Sequence, residues 1–183
     1  MNITPLPLKG ACIIETKPFQ DHRGKFARVF CRSEMEAILD GKIVEQINYS
    51  FTEKKGILRG LHYQCPPNAE IKMIRCLHGT AFDVIVDIRK GSPTFLKWHG
   101  EILSKDNMKM ILVPEGFAHG YQTLENNCEI IYFNTAPYNP ALEKGIRYND
   151  PMINIKWPLK VTDISEKDSN HPLLTPAFSG ILP

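Results

Sequence analysis

The residues with the clearest chemical potential lie close together, at positions 59–64, which read Arg-Gly-Leu-His-Tyr-Gln, and at Lys72 a little further along. Guanidinium, imidazole and ammonium groups bind anions and transfer protons. A regular strand would point Arg59 and His62 to opposite faces, but Gly60 between them permits a bulge that brings both side chains to one side. Taken singly, His62 is also compatible with a solvated or core histidine, and Lys72 with a charge that protects a sheet edge.

A second concentration of such residues lies at 114–121, where a proline and two glycines fix a tight turn and His119 stands at a strand start. His62, His119 and a carboxylate such as Glu70 would suit non-haem iron or zinc, which accept two histidines and a carboxylate. Metal-binding proteins of this type usually present a His-x-His pair, and here Gln64, a poor ligand, takes the second place. The sequence therefore favours a site without a metal.

Short apolar runs predict β-strands through most of the chain. These runs fall at 12–14, 73–77, 82–87, 110–113 and 130–133, and they end at Gly, Pro or Asn. The closely spaced turn signals between them are typical of a sandwich or barrel.

Helical segments are expected to be few and short. We predict one from Ser33 to Leu39, capped by Ser33 and stopped by Gly41. After Trp157 the strand pattern ends, and a short helical turn at 165–168 followed by a loose tail fits that segment.

The strand at 82–87 indicates what the sheets enclose. Its alternation places Phe82, Val84 and Val86 on one face, which is core, and two aspartates, Asp83 and Asp87, on the other. The acidic face either meets water or lines a polar interior, as in barrels that hold a small ligand.

The composition is that of one globular domain spanning residues 1–183, with 43% apolar and 23% charged residues. Twenty-two basic against 20 acidic residues give a net charge of +2. The basic residues are scattered along the chain, which argues against nucleic acid as a partner.

Targeting signals and cysteine usage favour a cytoplasmic protein. The N-terminus lacks the pattern of a secretory signal, and no segment approaches the roughly 18 consecutive apolar residues of a membrane span. The five cysteines are dispersed and include no C-x-x-C pair, so we expect reduced thiols rather than disulfides or a zinc site.

An ordered series of short motifs runs from Asp21 to Asp168, about four fifths of the chain. It comprises residues 21–24, 58–64, 82–89, 92–95 and 114–120, Tyr132, Tyr138, and residues 149–151 and 165–168. In these motifs the sequence resembles the dTDP-4-dehydrorhamnose 3,5-epimerases, which are metal-independent cupins of nucleotide-sugar metabolism.

The resemblance implies an all-β fold, a jelly-roll β-sandwich or cupin-like barrel with a few short helices. It also implies a homodimer in which an N-terminal strand of one subunit completes the neighbour's sheet. The implied reaction inverts C3 and C5 of a dTDP-4-keto-6-deoxy-glucose through an enolate, gives dTDP-4-keto-L-rhamnose, and needs no cofactor.

The resemblance also assigns roles to residues. His62 matches the catalytic base and Asp168 its partner, Lys72 the residue that stabilises the enolate, and Tyr132 the proton donor on the opposite face. The substrate-binding positions fall on Arg23, Phe26, Gln46, Asn48, Arg59, His119, Tyr138, Glu143 and Lys167. Two arginines can hold a diphosphate bidentately and so place the sugar over the base.

Two departures from the family pattern concern the nucleotide site. Arg28 stands where the family usually has an acidic residue, and Glu70 stands where glutamine is commoner. A third arginine near the diphosphate or an Arg28–Glu70 pair would each account for the change. The remaining functional alternatives are an epimerase acting at one carbon or on another nucleotide sugar, a non-catalytic sugar-nucleotide-binding cupin, and a metal oxygenase.

Overall fold

A computed structural model describes every residue from Met1 to Pro183, and its strands form two facing antiparallel sheets. In spatial order the first sheet contains β1 (Asn2–Pro5), β2 (Cys12–Glu15), β10 (Lys109–Val113), β7 (Lys72–His78), β12 (Cys128–Asn134) and β5 (Gln46–Thr52). The second contains β13 (Glu143–Gly145), β6 (Ile57–Gln64), β11 (Phe117–Thr123), β8 (Thr80–Asp87) and β9 (Trp98–Ser104), with β14 (Asp163–Ile164) parallel to β6. The predicted β-sandwich and all five predicted strands are confirmed.

Outside the two sheets lie a hairpin and two helices. The hairpin is formed by β3 (Phe19–Asp21) and β4 (Gly24–Phe26), and the helices are α1 (Arg32–Leu39) and α2 (Glu166–Ser169). Neither helix has the length and apolar composition needed to cross a bilayer.

Helix α1 is present as predicted, but the assignment of Ser33 as its cap is wrong. The N-cap is Cys31, which makes no side-chain capping hydrogen bond, and Ser33 already lies within the helix. Burial sets the position of the helix instead, because Met35 and Leu39 pack against the outer face of the first sheet. Past Leu39 the chain turns through left-handed residues, of which Gly41 is one, as predicted.

The core has three layers. Between the sheets pack residues such as Ile74, Ile85, Tyr121 and Ile130. A second cluster joins α1 to the first sheet. A third covers the outer face of the second sheet, where Val84 and its neighbours meet the C-terminal segment.

The C-terminal tail is not loose, contrary to prediction. Leu174, Phe178 and Ile181 pack against the third cluster, and the amide of Ile181 donates to the carbonyl of Ile88 at 2.8 Å. The tail is ordered because it covers apolar side chains on the second sheet, a requirement that its own sequence pattern does not reveal.

The acidic face of β8 points into the sandwich. Asp83 and Asp87 are both 0% exposed, so of the two interpretations of this strand the polar interior is correct. The opposite face of β8 is also covered, by the C-terminal segment, and from Asp83 to Asp87 every residue of the strand is buried.

Asp87 is held by a buried polar network. Its carboxylate accepts hydrogen bonds from the side chains of Arg89, Ser92 and Thr94 at 2.5 to 2.9 Å. Burial alone would raise the pKa of Asp87, but these hydrogen bonds outweigh it and lower the pKa to about 2.

The lowered pKa of Asp87 predicts a specific acid sensitivity. The network contributes about 2.5 kcal/mol of stability that is fully present above the unfolded pKa of about 4 and is lost as pH falls towards 2. We expect Asp87→Asn to lower the free energy of unfolding at pH 7 by at least that amount. Urea titrations of both proteins from pH 7 to pH 2.5 measure this, and a difference that does not shrink with acid would contradict the assignment.

Candidate active site

A cavity of about 630 Å³ opens between the two sheets. Its lining includes all four residues that the sequence assigned to proton chemistry, namely His62, Lys72, Tyr132 and Asp168. His62 lies on β6 of the second sheet, whereas Lys72 and Tyr132 lie on β7 and β12 of the first. The candidate base and the candidate acid therefore stand on opposite walls.

His62 and Asp168 form a hydrogen-bonded pair, with 2.7 Å between Nε2 of His62 and Oδ1 of Asp168. The other carboxylate oxygen accepts the amide of Gly60 at 2.9 Å. Burial raises the pKa of Asp168, but the hydrogen bonds from His62 and Gly60 outweigh it and leave the pKa below its usual value. An ionised carboxylate is only an acceptor, so Nε2 of His62 donates to it, and in the neutral ring the lone pair is then on Nδ1.

The helical turn α2 places Asp168. Ser165 caps this turn by accepting the amide of Asp168 at 3.0 Å, and Asp168 is buried. The turn predicted at 165–168 is confirmed, and its role is to bring a carboxylate from the far end of the chain against β6.

The predicted bulge at Gly60 is present. His119 pairs with His62, whereas Tyr121 pairs with Arg59, so β6 has one more residue than β11 in this interval. A Cβ atom on Gly60 would lie 2.6 Å from the Cα of Gly120, which only glycine avoids. The bulge turns Arg59 and His62 into the same cavity.

Tyr132, the candidate proton donor, is partly buried. Its ring meets that of His119 edge to face, with 6.2 Å between centroids. Burial, together with Tyr121 and Asp83 nearby, raises the pKa of Tyr132 well above its usual value. The phenol therefore holds its proton at neutral pH.

A second histidine–aspartate pair lies in the same cavity. Nε2 of His119 is 2.8 Å from Oδ2 of Asp83, and both side chains are buried. The sequence assigned His119 but missed Asp83. The signal that could have found Asp83 is the alternation of β8, which places it on the same face as the core residue Ile85.

Lys72 is not an edge charge, because β7 lies between β10 and β12 in the middle of its sheet. Its Nζ is 3.1 Å from Oε1 of the buried Glu70. The other oxygen of Glu70 accepts Nδ2 of Asn134 at 2.6 Å. Lys72 thus faces the cavity with its charge partly offset by a carboxylate.

The suggested Arg28–Glu70 pair is wrong. Arg28 binds Glu34 of α1, whereas Glu70 is occupied by Lys72 and Asn134. Arg28 sits near the β3–β4 hairpin and does not line the main cavity.

The three residues that could have formed an iron or zinc site, His62, His119 and Glu70, each bind a different partner. His62 is bound to Asp168, His119 to Asp83, and Glu70 to Lys72. These three candidate ligands do not form one cluster.

Most predicted substrate-binding residues line the cavity. These are Asn48, Arg59, His119, Tyr138, Glu143 and Lys167. Gln46 lies at its margin, where its side chain donates to Asn48 at 2.8 Å and accepts the amide of Tyr138 at 2.9 Å.

Two predicted substrate-binding residues, Arg23 and Phe26, do not line this cavity. Both belong to the exposed β3–β4 hairpin, in which Phe26 is 73% exposed and Arg23 pairs with Asp21 at 2.6 Å. Within a single chain, therefore, this cavity lacks two of the predicted contacts.

Comparison with known proteins places the chain among sugar-nucleotide epimerases. Residues 5–176 match the family profile described as dTDP-4-dehydrorhamnose 3,5-epimerase. The enzyme of that name from Shigella flexneri is 43% identical over 171 residues, which cover 93% of this chain and 94% of the relative.

Two solved structures are informative. The epimerase from Legionella pneumophila, in complex with dTDP-4-keto-L-rhamnose, is 40% identical with a TM-score of 0.89 and covers 94% of this chain and 92% of its own. A 3′-monoepimerase from Streptomyces bikiniensis, in complex with dTDP-quinovose, is 30% identical with a TM-score of 0.84. The match covers 93% of this chain and 86% of the monoepimerase. The same architecture therefore accommodates epimerases that act at one carbon.

Proposed function

Because this chain belongs to the dTDP-4-dehydrorhamnose 3,5-epimerase family and is an isomerase of that type, we propose that His62, Asp168, Lys72 and Tyr132 carry its proton transfers. One observation supports this assignment above the others: His62 and Tyr132 project into one cavity from facing sheets. A sugar ring between the sheets would present one face to the base and the other to the acid, which is what inversion requires.

The first step removes a proton. The carbonyl at C4 acidifies the hydrogens at C3 and C5, so Nδ1 of His62 takes one of them and the C–H electron pair forms the enolate. Asp168 stabilises the resulting imidazolium through Nε2. Lys72 stabilises the enolate oxygen, and a fixed donor of this kind contributes on the order of 3 kcal/mol.

The second step returns a proton to the other face. The O–H bond of Tyr132 breaks, its proton joins the carbon, and the enolate collapses to the ketone. Solvent then reprotonates the phenolate and takes the proton from His62, so the enzyme is restored without any oxidant or reductant.

The substrate site is a set of donors for a diphosphate and a sugar. Arg59 lines the same cavity as the His62–Asp168 pair, and its Nε is 3.2 Å from Oγ1 of Thr52. Lys167 pairs with Glu143 at the cavity wall. Guanidinium and ammonium groups suit phosphate oxygens. The complexes of similar proteins with dTDP-linked sugars support a dTDP sugar here.

The reaction is tested by incubating the protein with dTDP-4-keto-6-deoxy-glucose in D₂O and following both carbons by NMR. We expect deuterium at C3 and at C5, with inverted configuration at each. Incorporation at a single carbon would instead indicate a monoepimerase like the Streptomyces neighbour, and no incorporation would contradict the proposed function.

We also propose that the protein is a homodimer whose β3–β4 hairpin supplies Arg23 and Phe26 to the second copy's cavity. Phe19 and Phe26 on this hairpin are 79% and 73% exposed. Two neighbouring aromatic rings left in water are typical of a surface that binds another protein. A second apolar surface lies on the edge strand β5, where Ile47, Tyr49 and Phe51 are exposed. The N-terminal strand β1 pairs with β2 of its own chain and lies at the edge of the first sheet, so its other side is available to complete the sheet of the second copy.

The shared site predicts complementation between two impaired variants. Arg23→Ala should weaken nucleotide binding by about tenfold or more, since a charged hydrogen bond contributes roughly 1.5–3 kcal/mol. Mixed with His62→Ala under conditions that exchange subunits, it should regain activity, because the hybrid contains one site with both native residues. Arg32→Ala, at the first residue of α1, is the control. A monomer in sedimentation, or no recovery on mixing, would contradict the proposal.

The preferred nucleotide is a separate prediction, because Arg28 replaces the usual acidic residue. Arg28 pairs with Glu34 and does not line the main cavity, so we expect dTDP to bind at least about tenfold tighter than UDP, GDP or CDP, a difference of about 1.4 kcal/mol. Calorimetric titration of the four nucleotides measures it. Preference for another nucleotide would assign the protein a different nucleotide sugar.

We propose a cytoplasmic location. All five cysteines are free thiols, as expected in a reducing compartment.

A further inference from the structure

His171 is a mostly buried histidine that the proposed mechanism does not use. Its side chain is 12% exposed, and its Nε2 is buried without a hydrogen-bond partner. The ring lies directly over Gly145, where a Cβ atom would come within 2.1 Å of Nε2. A glycine at this point of β13 therefore provides the space in which the imidazole fits.

The unpartnered nitrogen of His171 faces the catalytic pair. It lies 3.6 Å from Oδ1 of Asp168, too far for a hydrogen bond, and its ring meets that of His62 edge to face at 5.7 Å between centroids. One ligand atom from each of His62, Asp168 and His171 lies within 4.8 Å of the others. Two imidazoles and a carboxylate thus converge on one point.

This arrangement matches the ligand set of zinc. Bonds of about 2.0–2.1 Å in a tetrahedral site place neighbouring ligand atoms about 3.3 Å apart. The His171–Asp168 separation is already within a few tenths of an ångström of that value, and the His62–Asp168 contact of 2.7 Å needs to lengthen by about 0.6 Å. The amide of Gly60 holds the other oxygen of Asp168, which orients the carboxylate as outer-shell partners of metal ligands do.

We propose that His62, Asp168 and His171 form a binding site for Zn²⁺ that switches the epimerase off when it is occupied. The inhibitory consequence rests on the proposed function, because the metal engages the base and its orienting carboxylate. Binding itself does not depend on that function. Imidazole nitrogens favour Zn²⁺ and Co²⁺ over Mg²⁺, which prefers oxygen ligands.

Binding is tested on the full-length protein with Co²⁺ and Zn²⁺ as probes. We expect one equivalent of Co²⁺ to give the visible absorption of a four-coordinate nitrogen–oxygen site, Zn²⁺ to displace it, and Mg²⁺ not to bind. His171→Ala should weaken the affinity for Zn²⁺ by about tenfold or more, the loss typical of changes to a metal site. His171→Gln fills the space over Gly145 without supplying an imidazole, and it should lose affinity for Zn²⁺ to a similar extent as His171→Ala.

His78→Ala is the matched control, because His78 lies at the exposed end of β7 and its Nδ1 contacts the carbonyl of Asn127. This variant should bind Zn²⁺ as the wild type does. Unchanged affinity in both His171 variants, or absence of one-equivalent binding in the wild type, would overturn the site whether or not the protein is an epimerase.

Inhibition is read separately, as the ratio of deuterium exchange with and without Zn²⁺ in each protein. We expect Zn²⁺ to suppress exchange in the wild type, EDTA to restore it, and the His171 variants to be less sensitive. Full exchange by the zinc-loaded wild type would show a site without the proposed effect, and the inhibitory part of the proposal would then be wrong.

Discussion

Replacing His62 by alanine is expected to reduce deuterium exchange at C3 and C5 of a 4-keto-6-deoxy sugar nucleotide by on the order of a thousandfold, the usual contribution of a general base. Exchange requires removal of the carbon-bound proton, and His62 is the more accessible of the two imidazoles in the cavity, with a side chain 28% exposed against 6% for His119. His119, the other histidine of the cavity, is bound to the buried Asp83. Exchange followed by NMR in D₂O measures the rate directly.

The fold should survive this change. His62 is 28% exposed in its side chain, and Asp168 keeps its hydrogen bond to the amide of Gly60. His78→Ala serves as the control for loss of a histidine remote from the cavity. Asp168→Ala should also lose exchange, because the tautomer of His62 is then no longer fixed. Wild-type exchange in His62→Ala would rule out the assigned base.

Replacing Tyr132 by phenylalanine is expected to lower the rate of net inversion about a hundredfold or more, while deuterium exchange with retention of configuration continues. Phenylalanine keeps the edge-to-face contact with His119 but has no proton to give. His62 can still remove a proton and return it to the face from which it came. The two outcomes are separated by recording deuterium incorporation and product configuration in the same sample.

Tyr148→Phe is the matched control, because Tyr148 does not line the cavity and loss of its hydroxyl should leave both readouts unchanged. If Tyr132→Phe loses exchange and inversion equally, acid and base do not act from separate faces. Inversion at the wild-type rate would mean that another group or water donates the proton.

The local features of this protein could be predicted from its sequence. Alternating apolar residues identified the strands, because side chains of a strand alternate between its faces wherever it lies. Gly60 identified the bulge, since a residue without a Cβ is needed where two backbones approach closely. The motifs carrying His62, Lys72, Tyr132 and Asp168 were likewise recognisable in the chain, and all four line one cavity.

The pairing of charges could not be predicted in the same way. Arg28 was a candidate partner of Glu70, yet it binds Glu34, because α1 packs beside it and Glu70 lies in another part of the fold. Glu70 itself meets Asn134, 64 residues away. The order of the tail was missed for a related reason, since Phe178 and Ile181 acquire their partners only when the second sheet exists.

The sequence by itself determined which segments are strands, where the backbone bends, and which residue types are available for proton transfer. Only the tertiary structure decided which of these residues share a cavity, that Asp83 contacts His119, and that His171 faces Asp168. The physical reason is the distance along the chain over which each interaction acts. Backbone geometry depends on neighbouring residues, whereas the environment of a buried charge depends on cross-strand register and on the stacking of two sheets, which join residues far apart in the chain.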